Sequence, residues 1–418
     1  MKRYSLSLVL GGVLLGLVCS AASAEPLTLT QTLAAAERYS AELSANRYEA
    51  RALDAMADSA RQLPDPKLKF GIDNLPVQGS NARRFTREGM TMQRIGVMQQ
   101  YVSAEKRDRK ADTLLAQAQS VNAKSSVARA NLQRDAAQAW LDLALSTRAL
   151  QTARKLLAET TAQQGAQKAS VSAGNAAPDS VLAFQIGLSA MRDKVTLAER
   201  DVQVARTRLT QLTGQPVTTI AGDLPRYERL PADEQTLEHG VALHPEMIAA
   251  ASEANSAKAR SAESAVAAIP DVEVEVWYGR RAEGYEDMAG VMFTVDLPLF
   301  KSQRQDKDHA ADISRSMQAN DQLAQTEREH VAQVRTLIAE YNAAQALWMR
   351  QRDDVLPLVR KRASLMAAQY RAGQTQLPGL LDARRTVLDS ELAVYQAEKE
   401  MARTWAAIHW LIPQELAQ

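Results

Sequence analysis

The sequence predicts a mainly α-helical protein with a small β part: long antiparallel coiled-coil helices forming an α-barrel, plus four strands per chain contributing to a trimeric, twelve-stranded transmembrane β-barrel. Three features point to it: an internal repeat near 200 residues long, two stretches almost free of helix breakers, and two segments whose apolar period falls to two.

The repeat is read from matched positions. Val171-Ser172-Ala173-Gly174 leads into Val181-Leu182-Ala183, and Tyr370-Arg371-Ala372-Gly373 leads into Leu380-Leu381-Asp382-Ala383, the two glycines standing 199 residues apart. The same offset relates Leu212-Thr213-Gly214 to Leu411-Ile412-Pro413, so each helix after a glycine ends at a breaker. Upstream, Ala136, Trp140, Leu143 and Thr147 match Leu337, Tyr341, Ala344 and Trp348 at an offset of 201. Spacings of four, three and four lay each set along one helical stripe, the seam of a coiled coil. From Glu105 to about Ala173, and from Ser302 to about Ala372, little interrupts a helix except Pro357, a kink site. At 1.5 Å per residue each stretch reaches ~100 Å, which demands a rod or tube.

Before each long helix the pattern changes. Val272, Val274, Val276 and Tyr278 alternate with Asp271, Glu273, Glu275 and Trp277, and Val291, Phe293, Val295 and Leu297 follow after a polar turn. In the first half Leu68, Phe70 and Ile72 oppose Lys67, Lys69 and Asp73, ahead of a less regular strand from about Met90 to Tyr101. Four strands of about ten residues in two hairpins match a transmembrane barrel with its apolar side toward lipid. Four strands cannot close a barrel, so copies must combine; three give twelve strands and a lumen open to solute.

The ends and composition bound the rest. Lys2 and Arg3, the apolar run Leu6–Val18 and Ala22-Ser23-Ala24 read as a secretory signal cleaved after residue 24. Cys19 follows Val18, where a lipoprotein signal places a small residue, so cleavage after Ala24 is favoured over lipidation and leaves no cysteine. Past the signal no apolar run approaches the ~20 residues of a membrane helix. With 50 basic against 49 acidic residues no basic field exists to hold nucleic acid. There is no phosphate loop, metal-ligand cluster or nucleophile beside a base, so neither an enzyme nor a cofactor is expected. The expected organisation is signal 1–24, periplasmic helix 25–63, hairpin 64–103, helical pair 104–215, linker 216–235, helix 236–269, hairpin 270–300, helical pair 301–413 and tail 414–418.

This arrangement, with Tyr370, Gly373, Leu381, Asp382 and Ala383 at one turn and Gly174 at the other, resembles the TolC-type outer-membrane efflux factors over essentially the whole mature chain. The resemblance implies a homotrimer in outer-membrane lipid with a periplasmic helical tunnel. Its tips would meet a periplasmic adaptor (membrane fusion protein) and an inner-membrane pump, and it would conduct passively. The stretch Leu63-Pro64-Asp65-Pro66, Asn74-Leu75-Pro76, Met90-Thr91-Met92, Ile95-Gly96-Val97 and Lys106-Arg107 also looks like the branch serving heavy-metal pumps of the resistance, nodulation and division type, copper or silver before cobalt, zinc and cadmium.

On that reading Gly174, Gly373 and Tyr370 are adaptor-docking tips, and Asp382 and Asp179 are periplasmic gate candidates; Asp382 also reads as a first-turn carboxylate answering the helix dipole. Thr375 and Gly379 stand where family members carry a basic and an acidic residue, which implies a reduced ring of gating salt bridges. Lys67, Lys69, Glu273 and Glu275 are expected to face the lumen, and Trp277, Tyr278 and Tyr101 to sit at headgroup level or to pack against a neighbouring strand. Met90, Met92 and Met98 offer soft thioethers along one strand side, with apolar filling the plainer reading. His239, His244, His309, His330 and His409 make no chelating pattern. A periplasmic adaptor or scaffold shares the export and helices but lacks the strand pairs; organic-solute or type I protein export stays open as cargo.

Overall fold

The computed structural model describes residues 26–165, 169, 172–173 and 179–411. The expected signal, Gly174 and the tail 414–418 lie outside these residues. Helix α1, Leu29–Tyr39, starts at a reciprocal cap: the Gln31 N–H donates to Thr28 Oγ1, and Gln31 Oε1 accepts from the Thr28 N–H. Ser40 ends α1 and caps α2, Ala41–Ala60. Strands β1, Lys67–Asp73, and β2, Met92–Tyr101, make the first hairpin. Helix α3, Ala104–Thr161, runs 58 residues, ~87 Å. Its partner is α4, Asp179–Thr213.

The second half repeats the plan with α5 Glu234–His239, α6 Pro245–Ala265, β3 Val272–Arg280, β4 Met288–Val295, α7 Gln305–Met349, α8 Leu356–Arg371 and α9 Leu377–His409. Pro357 lacks an N–H, and its ring crowds the carbonyl four residues back. The chain absorbs this in a π-helical turn, Arg350–Val355, which joins α7 to α8 without a break. The Arg352 guanidinium lies 3.9 Å from the Trp348 ring centroid across that turn. All four strands lie in one antiparallel sheet, in the order β1-β2-β3-β4, so β1 and β4 are its edges.

The sequence repeat is also a structural one. Trp140 on α3 and Tyr341 on α7, matched in the repeat, are both fully buried. The Trp140 indole N–H donates to the Leu27 carbonyl at 2.9 Å, and the Tyr341 hydroxyl donates to the Tyr227 carbonyl at 2.8 Å. Each anchors the segment entering a half, and Leu27 also bridges Ile220 of the linker in parallel. Around them the largest core gathers Leu141, Leu145, Leu209, Leu388 and Met401 where the two halves meet.

A histidine pair is locked into this middle region. His244, at the start of α6, and His330 on α7 are buried with rings 5.4 Å apart, edge to face, and His330 Nε2 meets the Glu246 carboxylate. Burial first, and His330 second, push the His244 imidazole down to about 4. A folded-state value below the unfolded one means that the unfolded chain takes up more protons in between. The stabilisation is therefore present above the ordinary histidine value and lost as pH falls to about 4. The thermal unfolding temperature should fall as pH drops over that interval in the parent and much less in His244→Leu. Trp140→Ala should cost about 3–5 kcal/mol by chemical denaturation, chiefly through its cavity, since the Leu27 carbonyl keeps the Ala221 N–H at 3.0 Å.

Candidate functional site

The register gives the sheet two chemically distinct faces. Leu68, Val97, Val276 and Val291 pair in one rung across all four strands, and Phe70, Ile95, Tyr278 and Ala289 in another. These side chains have no cover in the chain: Phe70 is 82% exposed and Val276 56%. A surface so continuously apolar marks an interaction face.

The opposite face is polar. Lys67, Met98, Glu275 and Met292 make one rung, and Glu273 pairs with Gln100 and Thr294. Lys69 Nζ donates to Glu275 at 2.7 Å, and Arg94 grips the other carboxylate oxygen while facing Asp73 at 3.5 Å. The four charged strand residues expected to face a lumen thus share one side.

Trp277 lies on this polar face, the side its parity with Glu275 assigns, and packs against the neighbouring strands, with the Arg94 guanidinium 4.5 Å from its ring centroid. Glycines make the room: a Cβ on Gly290 would lie 2.6 Å from the indole, and one on Gly96 would lie 2.9 Å from both the Trp277 Cβ and the Val276 carbonyl. Tyr278 does sit on the apolar face, its hydroxyl donating to Asp287, and Tyr101 is exposed at the helix-proximal end of β2. Met90 falls outside β2, whereas Met92 and Met98 share the polar face. Among the described residues no group of three or more His, Cys, Asp or Glu is placed to hold a metal. His309 meets Ser264, and His409 stacks on Trp405 at 4.7 Å.

At the far end of the helices Phe184, Leu188, Leu377, Leu380 and Leu381 form a small separate core, and Tyr370 packs against it. Gly373 follows α8 with φ +72, the Gln374 N–H reaching the Gln369 carbonyl and the Gly373 N–H the Tyr370 carbonyl. That is a Schellman turn, whose left-handed residue favours glycine. Among the described residues, apart from its two chain neighbours, no atom lies within 4 Å of a Cβ placed there, so backbone conformation sets the requirement.

Asp382 departs from the dipole reading. It lies beyond the first turn of α9, its carboxylate accepting from Arg385 at 2.9 Å and facing Arg362 of α8 at 3.9 Å. Asp179 opens α4, exposed. Leu182 and Ile186 on α4, and Leu358 and Leu365 on α8, are 61%, 72%, 68% and 56% exposed. Seven-residue spacing on α8 makes this a second seam without a partner helix in the chain.

A sheet with one apolar face and open edges, standing on such helices, frames the comparison with known proteins. Residues 239–412 match the family model described as outer membrane efflux protein. No curated protein matches the chain. Among solved structures CusC, whose title describes transmembrane channel formation, superposes with TM-score 0.77 at 13% identity over 92% of both chains. The outer membrane protein VceC of Vibrio cholerae gives 0.72 at 16% identity, covering 92% of this chain and 95% of its own. The open-state outer membrane channel MtrE of Neisseria gonorrhoeae gives 0.67 at 16%, covering 92% and 88%. At these identities the likeness establishes the fold: the chain is built like an outer-membrane channel protomer, with the efflux-protein match confined to its second half.

Two substitutions separate the sheet faces. Val276→Lys should weaken folding into phosphatidylcholine vesicles by about 2–4 kcal/mol, whereas Met292→Lys, on the polar face, should change it little. At the tip, Gly373→Ala should lower thermal stability by about 1 kcal/mol without altering membrane association.

Proposed function

We propose that this protein is the outer-membrane channel of a tripartite efflux system, conducting substrate passively from a periplasmic adaptor and an inner-membrane pump to the cell exterior. The observation that carries the reading is the sheet: one face uncovered and apolar over four strands, the other charged, and both edges open. A soluble adaptor has no use for such a face, because exposing it to water is unfavourable by roughly 25 cal/mol per Å².

Three copies supply twelve strands, with β4 of each pairing with β1 of the next. The charged face then lines a wet lumen, where Lys67, Lys69, Glu273 and Glu275 offer both signs of charge to passing solute. The exposed seams of α4 and α8 lie against helices of neighbouring copies, extending the barrel into a periplasmic tunnel. Gly174, Tyr370 and Gly373 form tips on which an adaptor docks, and Asp179 and Asp382 stand near the tunnel's narrow end. Asp382, already held by two guanidinium groups of its own chain, contributes less free negative charge to a gate than three bare carboxylates would. The protein itself carries out no chemistry.

Heavy-metal ions are the cargo we favour, on the resemblance of the stretch around Leu63–Pro66 and Met90–Val97 to the metal-pump branch. Deletion of the gene should raise cellular copper, silver, zinc, cadmium or cobalt selectively, with restoration on complementation and a fluorescent organic dye unaffected. Dye build-up with normal metals would move the channel to organic solutes. Mature protein recovered in the soluble periplasmic fraction after a carbonate wash would refute the channel itself.

A further inference from the structure

The loops at the end of the sheet away from the helices carry opposite, unused charges. In the β1–β2 loop the Arg83 N–H donates to the Pro76 carbonyl at 2.8 Å and the Arg84 N–H to the Asn81 carbonyl at 3.2 Å. The first bond ties the Arg83 backbone to Pro76, three residues beyond β1, and the second closes a tight turn at Arg84; Arg83 is held at φ +59, a conformation uncommon for a non-glycine residue. Both arginines are exposed, and no carboxylate of the chain pairs with them among the described residues. In the β3–β4 loop Glu283 and Glu286 are likewise exposed and unpaired, whereas Asp287 is engaged by Tyr278 and by the Arg281 N–H.

The two loops of one chain already touch, but on the other side of the first. Arg281 Nε donates to the Gly89 carbonyl at 2.6 Å, and the Tyr285 ring lies where a Cβ on Gly89 would sit, 2.6 Å away. Gly89 lies three residues before β2, so this contact sits on the β2 side of the loop, whereas the Arg83–Pro76 bond lies next to β1, the open edge. Glu286 adjoins β4, the opposite edge.

We infer that, where β4 of one copy meets β1 of the next, Arg83 and Arg84 of one chain form ion pairs with Glu283 and Glu286 of its neighbour, a ring of salt bridges tying the outer mouth together. The inference rests on the barrel reading above, since only that closure brings the two edges together. The pairs are exposed and screened by salt, so they steer and register neighbouring loops more than they stabilise the trimer.

The test uses a zero-length carbodiimide, which joins an amine to a carboxylate only in contact. Arg84→Lys supplies the amine, and the full chain is assembled from a mixture of isotopically light and heavy protein. The expected result is a mixed-label peptide joining position 84 to 283 or 286, reduced about fivefold or more when Glu283→Gln and Glu286→Gln are added and when salt is raised to 1 M. A trimer that yields no such peptide, or only same-label links, overturns the latch while leaving the channel standing. Loss of co-purifying phosphate-bearing lipid from Arg83→Gln/Arg84→Gln, with no link in Arg84→Lys, would assign the arginines to headgroups instead and overturn it too. A membrane-bound monomer would overturn the latch and the channel reading together.

Discussion

A main-chain N–H or C=O left unpaired in hydrocarbon costs several kcal/mol, and a four-stranded sheet has two edges full of them. That constraint organises the molecule. The chain supplies one apolar face and one polar face, and within it β1 and β4 are each paired on one side only. Repetition within the chain goes only halfway, giving two hairpins where closure around a lumen needs about six. On the proposed reading the remaining strands come from further copies, and the exposed seams on the helices meet the same neighbours.

The polar face is arranged so that its charges do not stand alone. Glu275 lies between Lys69 and Arg94, and Arg94 also covers the Trp277 indole, so one guanidinium serves a carboxylate and a ring at once. Gly96 and Gly290 let the indole lie flat against the sheet rather than project from it. At the helical end the same logic appears as Arg360 with Glu391, and Arg362 and Arg385 with Asp382. Between these ends a shared apolar core packs the two halves together, while Trp140 and Tyr341 hydrogen-bond Leu27 and Tyr227 and so anchor the segment entering each half. Burial is concentrated in the middle, and exposed apolar surfaces occupy both ends.

Most of the architecture was legible because it is periodic. Seams such as Trp140 to Leu143 and Tyr341 to Ala344, and the alternation around Val276, are local signals of the elements they form. Pro357 announced a disturbance but not its form, since a kink and a π turn both relieve the same missing N–H. The face of Trp277 followed from parity with Glu275, but its cover by Arg94 and the glycines opposite it did not, since these depend on cross-strand register. The pairing of Asp382 with Arg362 was not legible, because it depends on how α8 and α9 align across their turn. Nor was the path of the β1–β2 loop, since the backbone bond that ties Arg83 to Pro76 carries no sequence period.

The central claim is that this chain closes its sheet only with others of its kind. Native mass spectrometry of the full-length mature protein, extracted from the outer membrane in mild detergent, tests it directly. The account predicts a single dominant assembly of three copies, lost together with heat-resistant migration when a proline replaces Val291 in edge strand β4. A monomer with the same membrane attachment, or an assembly indifferent to that proline, would contradict it.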